Sequence, residues 1–431
     1  MPIVRPFHGI LYDPAFVGPI DRVVAPPYDV ISPEQQNRLY EMSPYNVIRL
    51  DLSRERDRYA SASRLFREWR REGALRQDAR PAIYAMSQAY RLQDGAERVR
   101  WGFFARLRLE EFSTGKVMPH EKTLEGPKTD RLELQRACRA NLSSIFGIYS
   151  APRWTLRDAL ESALGAPPLF DVSDASGVRN ALWRIDDPRA HRMLLEHLES
   201  RAVYIADGHH RYETALRYRD ERRAERGRRD GDDVFDYILA FLSNMDEPGL
   251  TVLPTHRLLR ELPVSAERLQ RDLEGPFSVE ALSRAEEEAW LSRVKSPDPG
   301  ERRIGVVLRD LDRLLILRAA DGENDSRLRG STALRRLDVT LLHGLVLEGP
   351  SSLLGLDVHD EAHAGGLVYV KEEQEAIRRV HDGEFAAAFL LNATRVEEVR
   401  AVCEAGETMP EKSTYFYPKL LTGLVFHSLE D

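Results

Sequence analysis

The chain has 431 residues, 42% hydrophobic and 31% charged, the balance of a globular protein long enough for two domains or one large one with insertions. A formal net charge of −8 excludes a surface made throughout for nucleic acid, while leaving room for a local basic pocket. Two cysteines, Cys138 and Cys403, without a CxxC pattern exclude a disulfide framework and a thiolate zinc site. With no secretory signal at the N-terminus and no run near the roughly 20 apolar residues of a spanning helix, the expected location is cytoplasmic, away from membranes.

Taken in chain order, residues 21–31 read as a short strand broken by Pro26-Pro27. Ser32-Pro33-Glu34 opens a helix, with Ser as N-cap and Pro at the first helical position. Tyr59, Ala62, Leu65, Phe66 and Trp69 have helical spacing, and predict an amphipathic helix over 57–72. Strands follow at 82–91 and 98–107, joined by a turn at Asp94-Gly95, and a buried strand at 141–150. A helix is expected at 190–199 and a short apolar strand at 202–206. An Arg-rich helix is expected over 212–229, its cations interleaved with Asp220, Glu221, Glu225 and Asp230 as on a solvated face. An apolar strand at 237–244 and a proline-rich break at 295–301 come next. A second α/β stretch then has strands at 303–308, 313–318 and 386–392 and helices near 338–348, 371–382 and 395–404. Alternating elements throughout give an α/β or α+β class.

The chain holds 55 Arg and only 7 Lys. Where Arg has replaced Lys so widely, the remaining lysines mark places that call for a compact ammonium. Lys116, Lys122 and Lys128 form one cluster, Lys412 and Lys419 another.

The strongest site candidate is Asp207-Gly208-His209-His210-Arg211. A strand delivers the chain to a glycine and a helix then begins, so the helix N-terminus faces whatever occupies the turn. His210 and Arg211 add donors, and Asp207 could carry a divalent metal against phosphates. The same stretch permits a metal-hydrolase reading, with His209 and Glu213 four residues apart on one helical face. Met118-Pro119-His120-Glu121-Lys122-Thr123, with Lys128-Thr129-Asp130-Arg131 after it, has the composition of a catalytic loop: a carboxylate base, lysines for phosphate, hydroxyl and acid groups. The segment 409–419 echoes it, and Lys412 is expected to turn inward to a ligand. Leu253-Pro254-Thr255-His256-Arg257 is a further polar segment, as readily a packed loop.

On these segments the chain resembles a large family of uncharacterised bacterial and archaeal proteins related to the free serine kinases. The likeness runs from Ala25-Pro26-Pro27-Tyr28-Asp29 to Lys419 and centres on Ala206–Arg211. Gly208, His209, His210 and Arg211 are also similar to the phosphate motifs of the ParB and sulfiredoxin superfamily. His209 stands where sulfiredoxin has its reactive cysteine, which excludes that reaction. The resemblance implies a ParB/sulfiredoxin-like catalytic domain over residues 1–265, with a C-terminal α/β region, 266–431, contributing to the site. It implies phosphoryl transfer from ATP or ADP, with Mg²⁺, to a small hydroxyl acceptor, L-serine foremost, giving O-phosphoserine. In that reading Gly208, His209, His210, Arg211 and Lys128 hold the nucleotide and Asp207 the metal. Glu121 is the base, with His120, Lys122 and Lys412 beside it. The alternatives are a ParB-like nucleotide-binding regulatory or DNA-associated protein, against which the acidic balance argues, and a metal-dependent phosphohydrolase.

Overall fold

Ser32 caps its helix as the sequence predicts: its hydroxyl accepts the Gln35 N–H at 3.2 Å, Pro33 takes the first position, and the helix runs Pro33–Met42 in the computed structural model. The structure describes residues 1–92, 95–123, 125–227, 232–295, 300–319, 326–349, 351–356 and 366–430. Asp94 of the predicted turn, the 228–229 end of the predicted Arg-rich helix with Asp230 after it, and 296–299 of the proline-rich break lie outside them.

The chain forms two compact units. The first comprises Met1–Pro119, Thr123–Thr251 and Phe416–Asp431; the second comprises His120–Lys122 and Val252–Tyr415. Each combines helices with a sheet, so the class is α+β.

Among the described residues of the first unit, the main sheet runs in the order Val117–Met118, Val203–Asp207, Ile145–Tyr149, Tyr237–Asn244, Glu97–Arg108, Ile83–Arg91, Arg179–Ile185, Phe170–Ser173. Val4–Arg5 also pairs with Glu97–Arg108. Two neighbouring pairs are parallel, Val203–Asp207 with Val117–Met118 and Tyr237–Asn244 with Ile145–Tyr149; the others are antiparallel. Ile145–Tyr149 and Tyr237–Asn244 are buried at every residue, which explains why their sequences read as continuous apolar runs rather than alternating ones. The helix Arg58–Glu72 buries Ala62, Phe66 and Trp69, the stripe its spacing predicts.

Two local expectations are corrected. Residues 21–31 form 3₁₀ turns at Ile20–Arg22 and Tyr28–Val30 around one bridge, Ala25 to Thr422, and not a strand. Pro26 and Pro27 remove two ladder donors, and the Asn46 side-chain amide takes the Arg22 and Val24 carbonyls instead. Residues 128–131 lie on a helix, Glu125–Cys138, and not in a loop. Arg131, Leu134 and Cys138 are buried at helical spacing, and that packing decides the conformation.

The second unit has a wholly antiparallel sheet in the order Ser278–Ser283, Arg313–Arg318, Arg303–Leu308, Ala387–Leu390, His256–Leu259, Leu367–Val370. Trp290 from the helix Glu287–Val294 and Ile377 from Glu373–His381 join Leu258, Val307, Ile316 and Phe385 in its core. Trp290 also donates its indole N–H to the Leu315 carbonyl at 2.9 Å. The strand His256–Leu259 sits inside this sheet, so residues just beyond Thr251 already build the second unit. The predicted helix near 338–348 begins as Asp338–Leu341 and continues as a π-helix, Leu342–Leu347. Among the described residues no helix is long and apolar enough to cross a membrane.

Candidate functional site

The strand Val203–Asp207 is buried except at its last residue, where the chain turns at Gly208 into the helix His209–Glu225. Gly208 has φ +89°, a left-handed conformation that favours glycine, and a β-carbon there would lie 2.9 Å from Arg211 Nε, so any side chain would make the guanidinium shift. The turn lets Arg211 fold back over it. Its guanidinium donates to Asp207 Oδ2 at 2.6 Å and to the Ser144 carbonyl.

The other Asp207 oxygen, Oδ1, accepts Lys419 Nζ. Burial would raise the Asp207 carboxyl, but Lys419 first and Arg211 next outweigh it and hold the group far below the usual carboxylate range. The three side chains are each 14–18% exposed. Lys419 was not among the expected site residues. Its signal in the sequence is the scarcity of lysine, which marks Lys412 and Lys419 alike and does not separate them.

Beside Arg211 a cavity of about 40 Å³ is lined also by Thr214, Ser143, Asn141, Asp51 and Arg131. Arg131 pairs with Asp51 at 2.8 Å and with Asp130, and its guanidinium lies 4.2 Å from the Tyr28 ring centre. Burial pushes the Tyr28 hydroxyl up to about 12, against the opposing charges of Arg211 and Arg131. The Ala25–Asp29 segment thus lies within the field of the turn. It is tied there by two backbone hydrogen bonds between Ala25 and Thr422, at 3.1 and 2.8 Å.

His209 is buried and His210 half-buried, both in the first helical turn. Lys128 is paired with Glu213 at 2.9 Å, and the Thr123 hydroxyl donates to the same carboxylate at 2.8 Å. Glu213, the partner of His209 in the metal-hydrolase reading, is therefore committed to Lys128 and Thr123. Among the described residues no group of three or more His, Cys, Asp or Glu could hold a metal ion. A Mg²⁺ at Asp207 would have to displace one of two cations, so the residues do not fit the metal in this arrangement.

The remaining expected residues fall in the second unit. His120 is buried, its Nε2 2.7 Å from Thr414 Oγ1 and 3.8 Å from Glu121 Oε2. Glu121 Oε1 accepts the backbone N–H of Lys412 at 3.0 Å, and the two echoing segments meet through Met409 N–H to His120 O at 2.8 Å. Lys412 itself has φ +55° and an exposed side chain, so its main chain, and not its ammonium as expected, makes the inward contact. Lys122 is exposed as well. Behind them lies Arg257, fully buried, from the fourth polar segment. It donates to the Glu411 and Lys412 carbonyls at 3.2 and 3.1 Å and to His343 Nε2 at 3.2 Å.

Residues 4–340 match the family described as protein of unknown function (DUF1015). The chain belongs to that family. A search of curated proteins gives no match. Among solved structures, a conserved hypothetical protein from Pyrococcus furiosus is similar at 14% identity over 74% of this chain and 92% of that one, with a TM-score of 0.34. A free serine kinase in complex with AMP is similar at 13% identity, over 73% and 86% of the two chains, with a TM-score of 0.36. SbnI with C-terminal truncation from Staphylococcus aureus shares 10% identity over 74% and 85%, also with a TM-score of 0.36.

Proposed function

We propose that the Asp207–Arg211 turn, with Lys419, binds the phosphates of an adenine nucleotide, ATP or ADP, and that the protein transfers a phosphoryl group to a small hydroxyl acceptor, L-serine foremost. The observation that carries this reading is the convergence of Arg211 and Lys419 on Asp207 at a glycine turn that opens a helix. Phosphate oxygens are suited to a guanidinium fork, an ammonium and a helix N-terminus together. The resemblance of Ala206–Arg211 to the free serine kinases supports the reaction class. Residues 1–265 would hold the nucleotide, and the C-terminal region would contribute Lys419.

Such catalysis is mostly positioning and charge neutralisation. The acceptor oxygen bonds to the terminal phosphorus, the bond to the bridging oxygen breaks, and the nucleotide leaves one phosphate shorter. Glu121 would take the hydroxyl proton. The test incubates purified protein with ATP or ADP, with and without Mg²⁺, and a panel of hydroxyl compounds, followed by mass analysis. O-phosphoserine is the expected product. Nucleotide binding with no phosphorylated acceptor from either donor overturns the kinase reading, and phosphate released to water favours a phosphohydrolase.

A further inference from the structure

Arg100 stands on the long strand Glu97–Arg108 and is only 1% exposed. Its guanidinium lies 4.6 Å from the centre of the Phe146 ring and 5.7 Å from that of Phe241. Nε donates to Gln88 Oε1 at 3.1 Å, and Nη2 to the same oxygen and to the Pro418 carbonyl at 2.6 Å. Nη1 is buried and has no hydrogen-bond partner among the described residues. The Gln88 amide also donates to the Lys419 carbonyl at 3.4 Å, so Arg100 and Gln88 together grip the main chain that carries Lys419.

A buried cation with neutral acceptors alone is costly, because hydrogen bonds and ring faces repay its lost hydration only in part and no opposite charge lies at contact distance among the described residues. Burial brings the Arg100 pKa down to about 9, with Tyr90 and then Asp207 opposing, so the group is still charged at neutral pH. Among the described residues, Arg100 has no carboxylate at contact distance, and the nearest acidic charge that acts on it is Asp207. Arg211 and Lys419 touch that carboxylate, and Arg100 stands behind Pro418 and Lys419. The Arg100 charge is thus uncompensated at contact in a poorly hydrated place, where charge interactions are strong.

We infer that Arg100, Lys419 and Arg211 form a socket selective for a doubly charged phosphoryl group, with Arg100 as the buried positioning residue. Arg100 fixes the Lys419 segment through the Pro418 carbonyl and adds its field from behind, out of contact with the ligand. The inference deepens the nucleotide reading and rests on it for the natural occupant.

The experiment is calorimetry of the full chain with inorganic phosphate at constant ionic strength, on either side of the second phosphate ionisation. Wild type should prefer the dianion. Arg100→Met should lose on the order of tenfold in dianion affinity, the scale of one buried charge acting at several ångströms, and less for the monoanion. The pH dependence of binding then flattens. A merely structural arginine would weaken both forms alike, and an unchanged ratio in Arg100→Met overturns the inference, as does wild type that binds no phosphate. If Arg100→Met fails to melt cooperatively, Arg100→Lys takes its place. It keeps the charge and should keep the dianion preference, and loss of that preference in the folded variant overturns the socket. Phosphate binding with which neither ATP nor ADP competes leaves the socket standing and removes the nucleotide reading. Nucleotide binding that Arg100→Met leaves unchanged does the reverse.

Discussion

Asp207 is a carboxylate clamped between an ammonium and a guanidinium, and its depressed pKa fixes the sign of its pH response. Stability from such a group is fully present above the unfolded carboxyl pKa of about 3.9 and is lost as pH falls toward the lower folded value. The unfolding free energy of Asp207→Asn should thus lie below that of wild type by up to about 3–5 kcal/mol at pH 7, the scale of breaking a buried pair. The gap should narrow below about pH 4; a constant gap down to strong acid would show that charge is not the cause. For ligand binding, Arg211→Ala should weaken nucleotide affinity by about 1.5–3 kcal/mol, as for a charged hydrogen bond. Calorimetry giving the wild-type affinity with the fold intact would remove the turn as a phosphate site.

At the scale of elements, the site depends on one backbone conformation between the strand Val203–Asp207 and the helix His209–Glu225. Gly208→Ala should cost about 1–2 kcal/mol for the left-handed residue alone and push the Arg211 guanidinium off Asp207. Thermal melting would read the first effect and nucleotide affinity the second. In the second unit, the strand His256–Leu259 has its own pH signature. Burial lowers the His256 pKa to about 4, and Nδ1 accepts the Leu391 N–H at 3.2 Å. The neutral ring is what the fold holds, so its contribution is whole above about pH 6.5 and falls away as pH drops toward 4. Up to about 3 kcal/mol is at stake over that window. Urea midpoints of wild type should slope downward through it, and His256→Gln should flatten that slope; parallel profiles would sink the assignment.

At the scale of the whole molecule, the last stretch of chain returns to the first unit. Phe416, Leu424, Val425, Phe426 and Leu429 are all buried there, and Ser428 and His427 pair with Ala140 and Asn141. At about 1.5–3 kcal/mol for each buried apolar side chain, their sum rivals the entire stability of a domain. A chain ended at Tyr415 should therefore lose cooperative melting of the first unit and all nucleotide binding; a sharp transition retained in both units would contradict this accounting. The base assignment is tested in the intact molecule. Glu121→Gln should lower acceptor phosphorylation by about 10²–10⁴-fold with nucleotide affinity intact, whereas loss of fold would mean that its hydrogen bond to the Lys412 backbone is its whole role.

The sequence by itself determined the elements whose causes are local. Ser32-Pro33 starts a helix because the cap lies within the next turn. The buried strands at 145–149 and 237–244 read as strands because their apolar runs are short and rich in aromatic and β-branched residues. The turn at Asp207–Arg211 was legible for the same reason, since glycine, helix start and donors fall within five residues. Tertiary structure alone decided the partners. Lys419 lies 212 positions from Asp207, and nothing in either segment encodes that distance. The grip of Arg100 on Pro418 and the helical state of residues 128–131 likewise depend on which side chains become buried together. Periodicity reports the face a residue turns to a neighbour, and only the folded chain supplies the neighbour.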